Sequence, residues 1–314
     1  WYEGKERMNG VLVAYLVMCL IFGTTFLAIK IGLEEGMPPF YFAALRFFIA
    51  GILLLCWLKA KQEARKYSFK RYAEIALLGI MMTTIPFAAL YWAEQYVHSG
   101  LAALLVATAP VFATVFSVCA GQMRYRWYTG SGLVLGIIGI ALIVGVSSEA
   151  SAAEGGRAYL GKISIVAAEF FYAWGAIRAK KLMEEVPPLA FNAWQMVFAS
   201  LGLFSLSFLF EDVARASYTL SSIVSLLYLA IVASIAASGI YYWLVRETNA
   251  VFPTTWTYVS PVIALLAGVL FLRETVSLAQ LAGGVGVLVG IILLNLDTWK
   301  KILHKRGEKR VFIQ

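Results

Sequence analysis

Ten long apolar runs, with charge confined mainly to the stretches between them, restrict the fold of this 314-residue chain more than any motif does. They cover roughly 11 to 31, 38 to 58, 73 to 93, 100 to 121, 128 to 147, 160 to 180, 188 to 210, 224 to 245, 252 to 272 and 278 to 297. About 20 apolar residues suffice for a helix to cross the hydrocarbon core of a bilayer. No water reaches backbone N–H and C=O groups there, so runs this uniform must satisfy them internally as helices, whereas barrel strands would alternate in polarity. Composition agrees, with 61% of residues hydrophobic and 14% charged, against about 45–50% and 25% in a soluble domain. The expected fold is an all-α integral membrane protein with ten transmembrane helices.

A shift of 151 positions lays Tyr91-Trp92 on Tyr242-Trp243, Pro110-Val111 on Pro261-Val262, Gly132 on Gly283 and Gly139-Ile140 on Gly290-Ile291. Weak self-similarity in an apolar chain points to the internal repeats of membrane transporters. Five spans per half is an odd number, so the second half should enter the membrane upside down relative to the first. The sequence therefore predicts two inverted five-helix repeats, 11–147 and 160–297. A cytoplasmic segment 1–10, an exposed linker 148–159 and a basic cytoplasmic tail 298–314 complete the chain. Gly132 and Gly136 in the fifth run, and Gly286 and Gly290 in the tenth, each form a GxxxG spacing that lets helix backbones approach closely. Packing of these two helices within a monomer is expected, with a homodimer through the same faces as the alternative.

The net charge of +8 follows the membrane and not a nucleic acid. With the N-terminus inside, twenty Lys and Arg residues fall in inside segments and four, Arg157, Lys162, Arg215 and Arg273, in outside ones. This bias predicts a multi-pass protein of the plasma membrane, bacterial or archaeal inner membrane, with both termini cytoplasmic. The first apolar run lacks a small-residue cleavage site and is expected to stay as the first span. Whether residues 1–7 are native is open, because position 1 is Trp. Cys19, Cys56 and Cys119 show no metal spacing and are expected to be packing residues, so no metal, cofactor or disulfide is anticipated.

Several stretches resemble the drug/metabolite transporter superfamily, in particular its EamA family. They are Phe22-Gly23-Thr24-Thr25-Phe26, the run from Ala44 to Ala50 around Arg46, Ala107-Thr108-Ala109-Pro110-Val111, Tyr258-Val259-Ser260-Pro261-Val262 and Arg273-Glu274-Thr275. The resemblance spans essentially the whole chain. It implies ten helices in two inverted halves and a central cavity lined by the first four helices of each half. It also implies secondary transport, usually export, of small metabolites such as amino acids. Two departures stand out: Phe22 replaces the Trp common before the glycine, and Gly121-Gln122-Met123-Arg124 lacks an acid like Glu274.

A charge at mid-bilayer costs about 2.5 to 3.5 kcal/mol on insertion scales, so the deep ionisable residues are the site candidates. Glu169 sits near the middle of its run, about 10 Å along the axis from Lys162 at 1.5 Å per residue, with Tyr172 and Ala173 on its face. It either binds a substrate amine, carries a coupling proton, or is a structural acid. Arg46, about 12 Å from the outer end of its span, either grips a substrate carboxylate with its planar fork or pairs with Glu169 or Glu94. Gln195 takes the related place in the second half, which breaks the symmetry in charge. Lys30 is expected to snorkel outward, and Glu94 and His98 to line a wet gate. Pro86, Pro110 and Pro261 are expected to kink their helices toward a cavity. Thr108 and Ser260, beside two of these kinks, either satisfy freed carbonyls or offer hydroxyls to substrate. Trp174, Trp194 and Trp256 lie at mid-span depth as pocket walls or packing residues.

The reading that unites these features is a secondary exporter of amino acids or related amphipathic metabolites, working by alternating access with proton coupling open. Small-molecule substrate and membrane lipids are its expected partners, and nucleic acid is not. A channel or lipid scramblase is the alternative. A membrane-embedded enzyme is disfavoured, since the chain has only His98 and His304 and no HExxH, GxSxG or phosphate-binding glycine loop.

Overall fold

The computed structural model describes residues 2–119, 126–145, 152–247 and 256–294. The expected tail 298–314, residues 148–151 of the expected linker and the Gly121-Arg124 loop lie outside the described residues. Every regular element among the described residues is helical. The first half contains α1 (Tyr2–Glu34), α2 (Pro39–Ala60), α3 (Phe69–Gly79), a π-helical segment Ile80–Thr84, α4 (Ile85–Ala93), α5 (Ser99–Val106), α6 (Ala109–Cys119) and α7 (Trp127–Gly145). The second contains α8 (Ala152–Leu182), α9 (Pro188–Phe210), α10 (Leu220–Leu227), a π-helical segment Tyr228–Ala236, α11 (Ala237–Glu247), α12 (Trp256–Leu272) and α13 (Leu278–Leu294). Seven helical stretches are long and apolar enough to cross a membrane, and three shorter apolar helices, Trp127–Ile143, Val259–Leu272 and Leu278–Leu293, accompany them. Large apolar side chains such as Leu12, Leu16, Ile137 and Leu270 stand exposed on the outside, a surface suited to lipid.

Local chemistry sets the helix ends. Gly36, at φ +93, turns the chain after α1 in the left-handed conformation open to glycine. Pro38 is extended and Pro39 occupies the first turn of α2, where a missing N–H costs nothing. The sequence reading placed an exposed linker up to residue 159, but α8 already begins at Ala152 and Ala158 and Lys162 are buried. Lys162, counted with the outer loops, thus lies within a helix.

Equivalent helices of the two halves meet in antiparallel pairs. A methyl group placed on Gly139 of α7 would sit 2.5 Å from the Gly283 carbonyl oxygen of α13, and one on Gly290 would sit 2.7 Å from the Gly132 carbonyl oxygen. Residue numbers rise on one helix as they fall on the other. The expected glycine seam therefore joins α7 to α13 within one chain. In the same sense Tyr41 and Phe48 of α2 both pack against Phe204 of α9, while Gly51, further along α2, abuts Val197.

The first helix of each half is inserted into the other half's bundle. α1 packs on α10, α11 and α12, and α8 packs on α3, α4, α5 and α6. Exchanging the halves converts one set of contacts into the other.

The two π segments are also related. Shifting Ile80–Thr84 by 151 falls inside Tyr228–Ala236. Proline is not their common cause, because Ala237 stands where the first half has Pro86. Pro110 coincides with a real break between Val106 and Ala109, whereas α12 continues unbroken through Pro261.

Candidate functional site

Arg46 and Gln195 each lie eight residues after a proline pair, Pro38-Pro39 and Pro187-Pro188, on equivalent helices α2 and α9. Each reaches a π segment. The Arg46 Nε donates to Ser234 Oγ at 3.0 Å, and the Gln195 amide donates to Thr83 Oγ1 at 3.1 Å. Thr83 and Ser234 are themselves 151 positions apart. A π turn re-aims side chains and leaves backbone groups to be satisfied in other ways; Ser234 Oγ donates to the Leu229 carbonyl five residues back, at 2.9 Å. The same polar crossing therefore occurs twice, once with a charge and once without.

Arg46 is only 4% exposed. Its Nη1 donates to the Tyr91 hydroxyl at 3.2 Å, and its guanidinium lies 4.9 and 5.1 Å from the ring centroids of Phe47 and Phe87. No carboxylate is among these hydrogen-bond partners; of the two roles open to Arg46, a direct ion pair with Glu169 or Glu94 is not formed, although its charge reaches Glu94 electrostatically. Guanidinium has five N–H donors, and these contacts use two. Glu169 is its opposite, a 3% exposed carboxyl on α8 with no hydrogen bond or ion pair among the described residues. Tyr172 and, on α11, Tyr241 lie within its electrostatic reach. Tyr172 itself is partly exposed.

The other candidates separate into packing and pocket surroundings. Thr108 spends its hydroxyl on the Leu105 carbonyl at 2.7 Å, the carbonyl-satisfying role of the two open to it. Trp194 stacks on Phe198 and meets Tyr72 edge-on in an apolar cluster between α3 and α9. Trp256 lies against Phe22, centroids 4.5 Å apart, and joins α12 to α1. Trp174 is largely exposed beneath the Arg178 guanidinium at 5.3 Å. Ser260 is buried, its carbonyl oxygen 3.1 Å from where a Gly23 methyl would fall. Pro86 is buried just after the first π segment.

Sequence reasoning missed Ser234, Thr83, Tyr91 as a ligand of Arg46, and Tyr241. Tyr91 had a signal, since Tyr91-Trp92 matches Tyr242-Trp243 in the repeat. It also missed Glu274 and Glu211 as caps. Glu274 accepts from the Ser99 N–H at 2.8 Å and its hydroxyl at 2.9 Å, and Glu211 accepts from the N–H groups of Phe40 at 2.6 Å and Tyr41 at 2.9 Å. A carboxylate at a helix N-terminus satisfies donors that have no partner within the helix.

Near Glu274 lies Glu94, the residue after the span Phe69–Ala93. It is fully buried, and neither carboxyl oxygen has a hydrogen-bond partner. Burial pushes this carboxyl well above the usual carboxylate range, with the Lys30 charge pulling the other way and Glu274 adding to the rise. It is not the wet gate residue expected. Lys30 does not simply snorkel, because its ammonium donates to the Glu94 backbone carbonyl at 2.6 Å.

The sequence profile of the EamA-like transporter family matches this chain twice, over residues 8–145 and 159–296. The chain belongs to that family. The uncharacterized inner membrane transporter YedA of Escherichia coli (strain K12) is 30% identical over 288 residues, covering 91% of this chain and 90% of its own length. The uncharacterized transporter YoaV of Bacillus subtilis (strain 168) is 26% identical over 292 residues, covering 91% and 97%. A solved crystal structure superposes with a TM-score of 0.61 at 17% identity, over 92% of this chain and 97% of that one, and attests the fold alone. Membership in the EamA-like family makes this a membrane protein with a transporter role. Within that frame the double polar crossing at the π segments and the unpaired Glu169 are the features with chemistry to offer a passenger.

Proposed function

We propose that this protein is a secondary active transporter that exports amino acids or related small amphipathic metabolites by alternating access. Its ten helices cross the plasma membrane as two inverted five-helix halves, with both termini in the cytoplasm. The antiparallel meeting of α7 with α13 and of α2 with α9 supports the inversion, and the positive-inside charge bias supports the orientation.

One observation carries the substrate assignment: two buried ionisable side chains, Arg46 in the first half and Glu169 in the second, have no oppositely charged group within hydrogen-bond distance among the described residues. Burying an uncompensated charge is costly, so each is suited to a charge that arrives with the ligand. A carboxylate meets Arg46 and an ammonium meets Glu169, with Tyr172 and Tyr241 at hand for hydrogen bonds. No catalytic constellation is invoked. A thermal-shift screen of purified protein against an amino-acid panel identifies the ligand, since binding to the folded form raises stability. Counterflow in liposomes then tests the cycle: preloaded substrate accelerates uptake through a carrier. Uptake indifferent to preloading would indicate a channel and refute alternating access.

A further inference from the structure

Among the described residues, both carboxyl oxygens of Glu94, at the junction of α4 and α5, are buried without a hydrogen-bond partner. Charged and titratable groups converge on it from every side. From α1, Lys30 Nζ reaches the backbone carbonyls of Glu94 at 2.6 Å and Val97 at 3.4 Å, bypassing the carboxyl of the same residue. From α2 comes the Arg46 charge, and from α4 itself the Tyr91 hydroxyl. The α12–α13 connection supplies Glu274, whose oxygens are engaged by Ser99 and Gly100. In the α4–α5 connection His98 has a buried Nδ1 without a partner. From α8, Gly161 packs on Ala93 and Val97, Lys162 follows it in the buried interior, and Arg157 covers the Tyr96 ring.

We propose that Glu94 is a proton-binding site whose loading and release govern opening of this end of the transporter, with Lys30 as the responding counter-charge. The proposal rests on the carrier reading above and adds a protonation-controlled gate at this end, the proton leaving to and returning from the water that enters there.

The neutral acid suits a dry site with no hydrogen-bond partner. When its O–H bond breaks and the proton passes to water entering at this end, the carboxylate left behind requires a cation. Lys30 is already hydrogen-bonded to the same residue and needs only a side-chain rotation to supply one. That rotation takes the ammonium off the carbonyls of Glu94 and Val97, and so unties α1 from the α4–α5 junction. Reprotonation returns Lys30 to the carbonyls and closes the end again. Glu274, held by its own three donors, cannot substitute as the acid without uncapping α5.

Infrared difference spectroscopy of the full chain in lipid vesicles, titrated with pH, reads the proton directly. Wild type should show protonated-carboxyl absorption that vanishes as pH rises; one component band of it should be missing from Glu94→Gln and present in Glu169→Gln. Should Glu94→Gln not insert, Lys30→Gln serves instead and should move the band's midpoint to higher pH, because a cation favouring the carboxylate has gone. Opening is read by labelling Val97→Cys with a membrane-impermeant maleimide after Cys19, Cys56 and Cys119 are replaced by Ser. Labelling should quicken several-fold from acid to alkaline pH, and in Glu94→Gln should be independent of pH. Absorption unchanged in Glu94→Gln, or a midpoint unmoved in Lys30→Gln, overturns the proton site. A band lost with labelling unchanged overturns the coupling. Failure of the carrier reading appears separately, as counterflow without acceleration while the band still depends on Glu94.

Discussion

The two halves share a backbone plan and differ in charge. Both have a π segment in the third helix, both send a polar side chain from the second helix onto the opposite half's π segment, and both insert the first helix into the other bundle. Yet the side chain is Arg46 in one and Gln195 in the other, and the acids Glu211 and Glu274, both from the second half, cap helices of the first. What repeats is the backbone geometry and its polar crossing. What differs is the chemistry an asymmetric passenger would feel.

Making the halves alike should therefore have the largest effect. Arg46→Gln copies the second half into the first and removes the charge proposed to meet a substrate carboxylate, an interaction of about 1.5–3 kcal/mol. Counterflow rates should fall about tenfold to a hundredfold, at 1.4 kcal/mol per factor of ten. Wild-type rates in this variant would mean that the asymmetry at Arg46 has no part in transport.

The glycine seam offers a sharper contrast inside one helix. In α13 a methyl group on Gly290 would fall 2.7 Å from the Gly132 carbonyl oxygen, whereas one on Gly286 has nothing nearer than 3.5 Å. Overpacking typically costs about 1–3 kcal/mol, so Gly290→Ala should lower the thermal midpoint in detergent clearly and Gly286→Ala hardly at all. Equal effects would show that α7 and α13 are not held by backbone approach at these glycines.

Length and polarity of the runs make the helices legible in the sequence. The seventh run, 188–210, agrees with α9 at both ends, because Pro187-Pro188 and Glu211-Asp212 punctuate it sharply. The start of α8 was missed because Ser, Ala, Gly and Glu are permissive rather than helix-breaking, and composition alone cannot separate an exposed linker from a polar first turn. The π segments left no trace: a π turn in Tyr228–Ala236 involves ordinary apolar residues, and its cause lies in the packing around it. Burial of Arg46 and Glu169 could be anticipated from the energetic penalty of a deep charge. Their partners could not, since Ser234 lies 188 positions from Arg46 and is an unremarkable serine by pattern.

Glu94 has no acidic counterpart in the second half, where Val245 stands 151 positions on. Because burial raises its carboxyl well above the usual range, the folded chain keeps this proton at pH values where an unfolded chain has lost its own. Stability should therefore fall as pH rises from the ordinary carboxylate range toward the value at which Glu94 ionises, the folded state being the one that binds more protons in that window. Thermal midpoints measured across that range should slope downward in wild type and flatten in Glu94→Gln. An undiminished slope would assign the effect to another acid and leave the two halves equivalent at this position.

The smallest effect is expected where the halves differ by a proline alone. In the first π segment the Ile85 N–H closes a bond to the Ile80 carbonyl, five residues back, and Pro86 follows; in the second, the Ala237 N–H closes the same kind of bond to Val232. A proline inside a helix withholds one donor, but the second half builds its π turn with alanine in that place. Pro86→Ala should then keep the π register and cost less than about 1 kcal/mol, mostly through a looser unfolded chain. Amide exchange over residues 80–90 should stay close to wild type. If the segment instead gained the protection of a regular α-helix, the first π turn would owe its existence to the proline, and the likeness between the halves would be one of outcome rather than of cause.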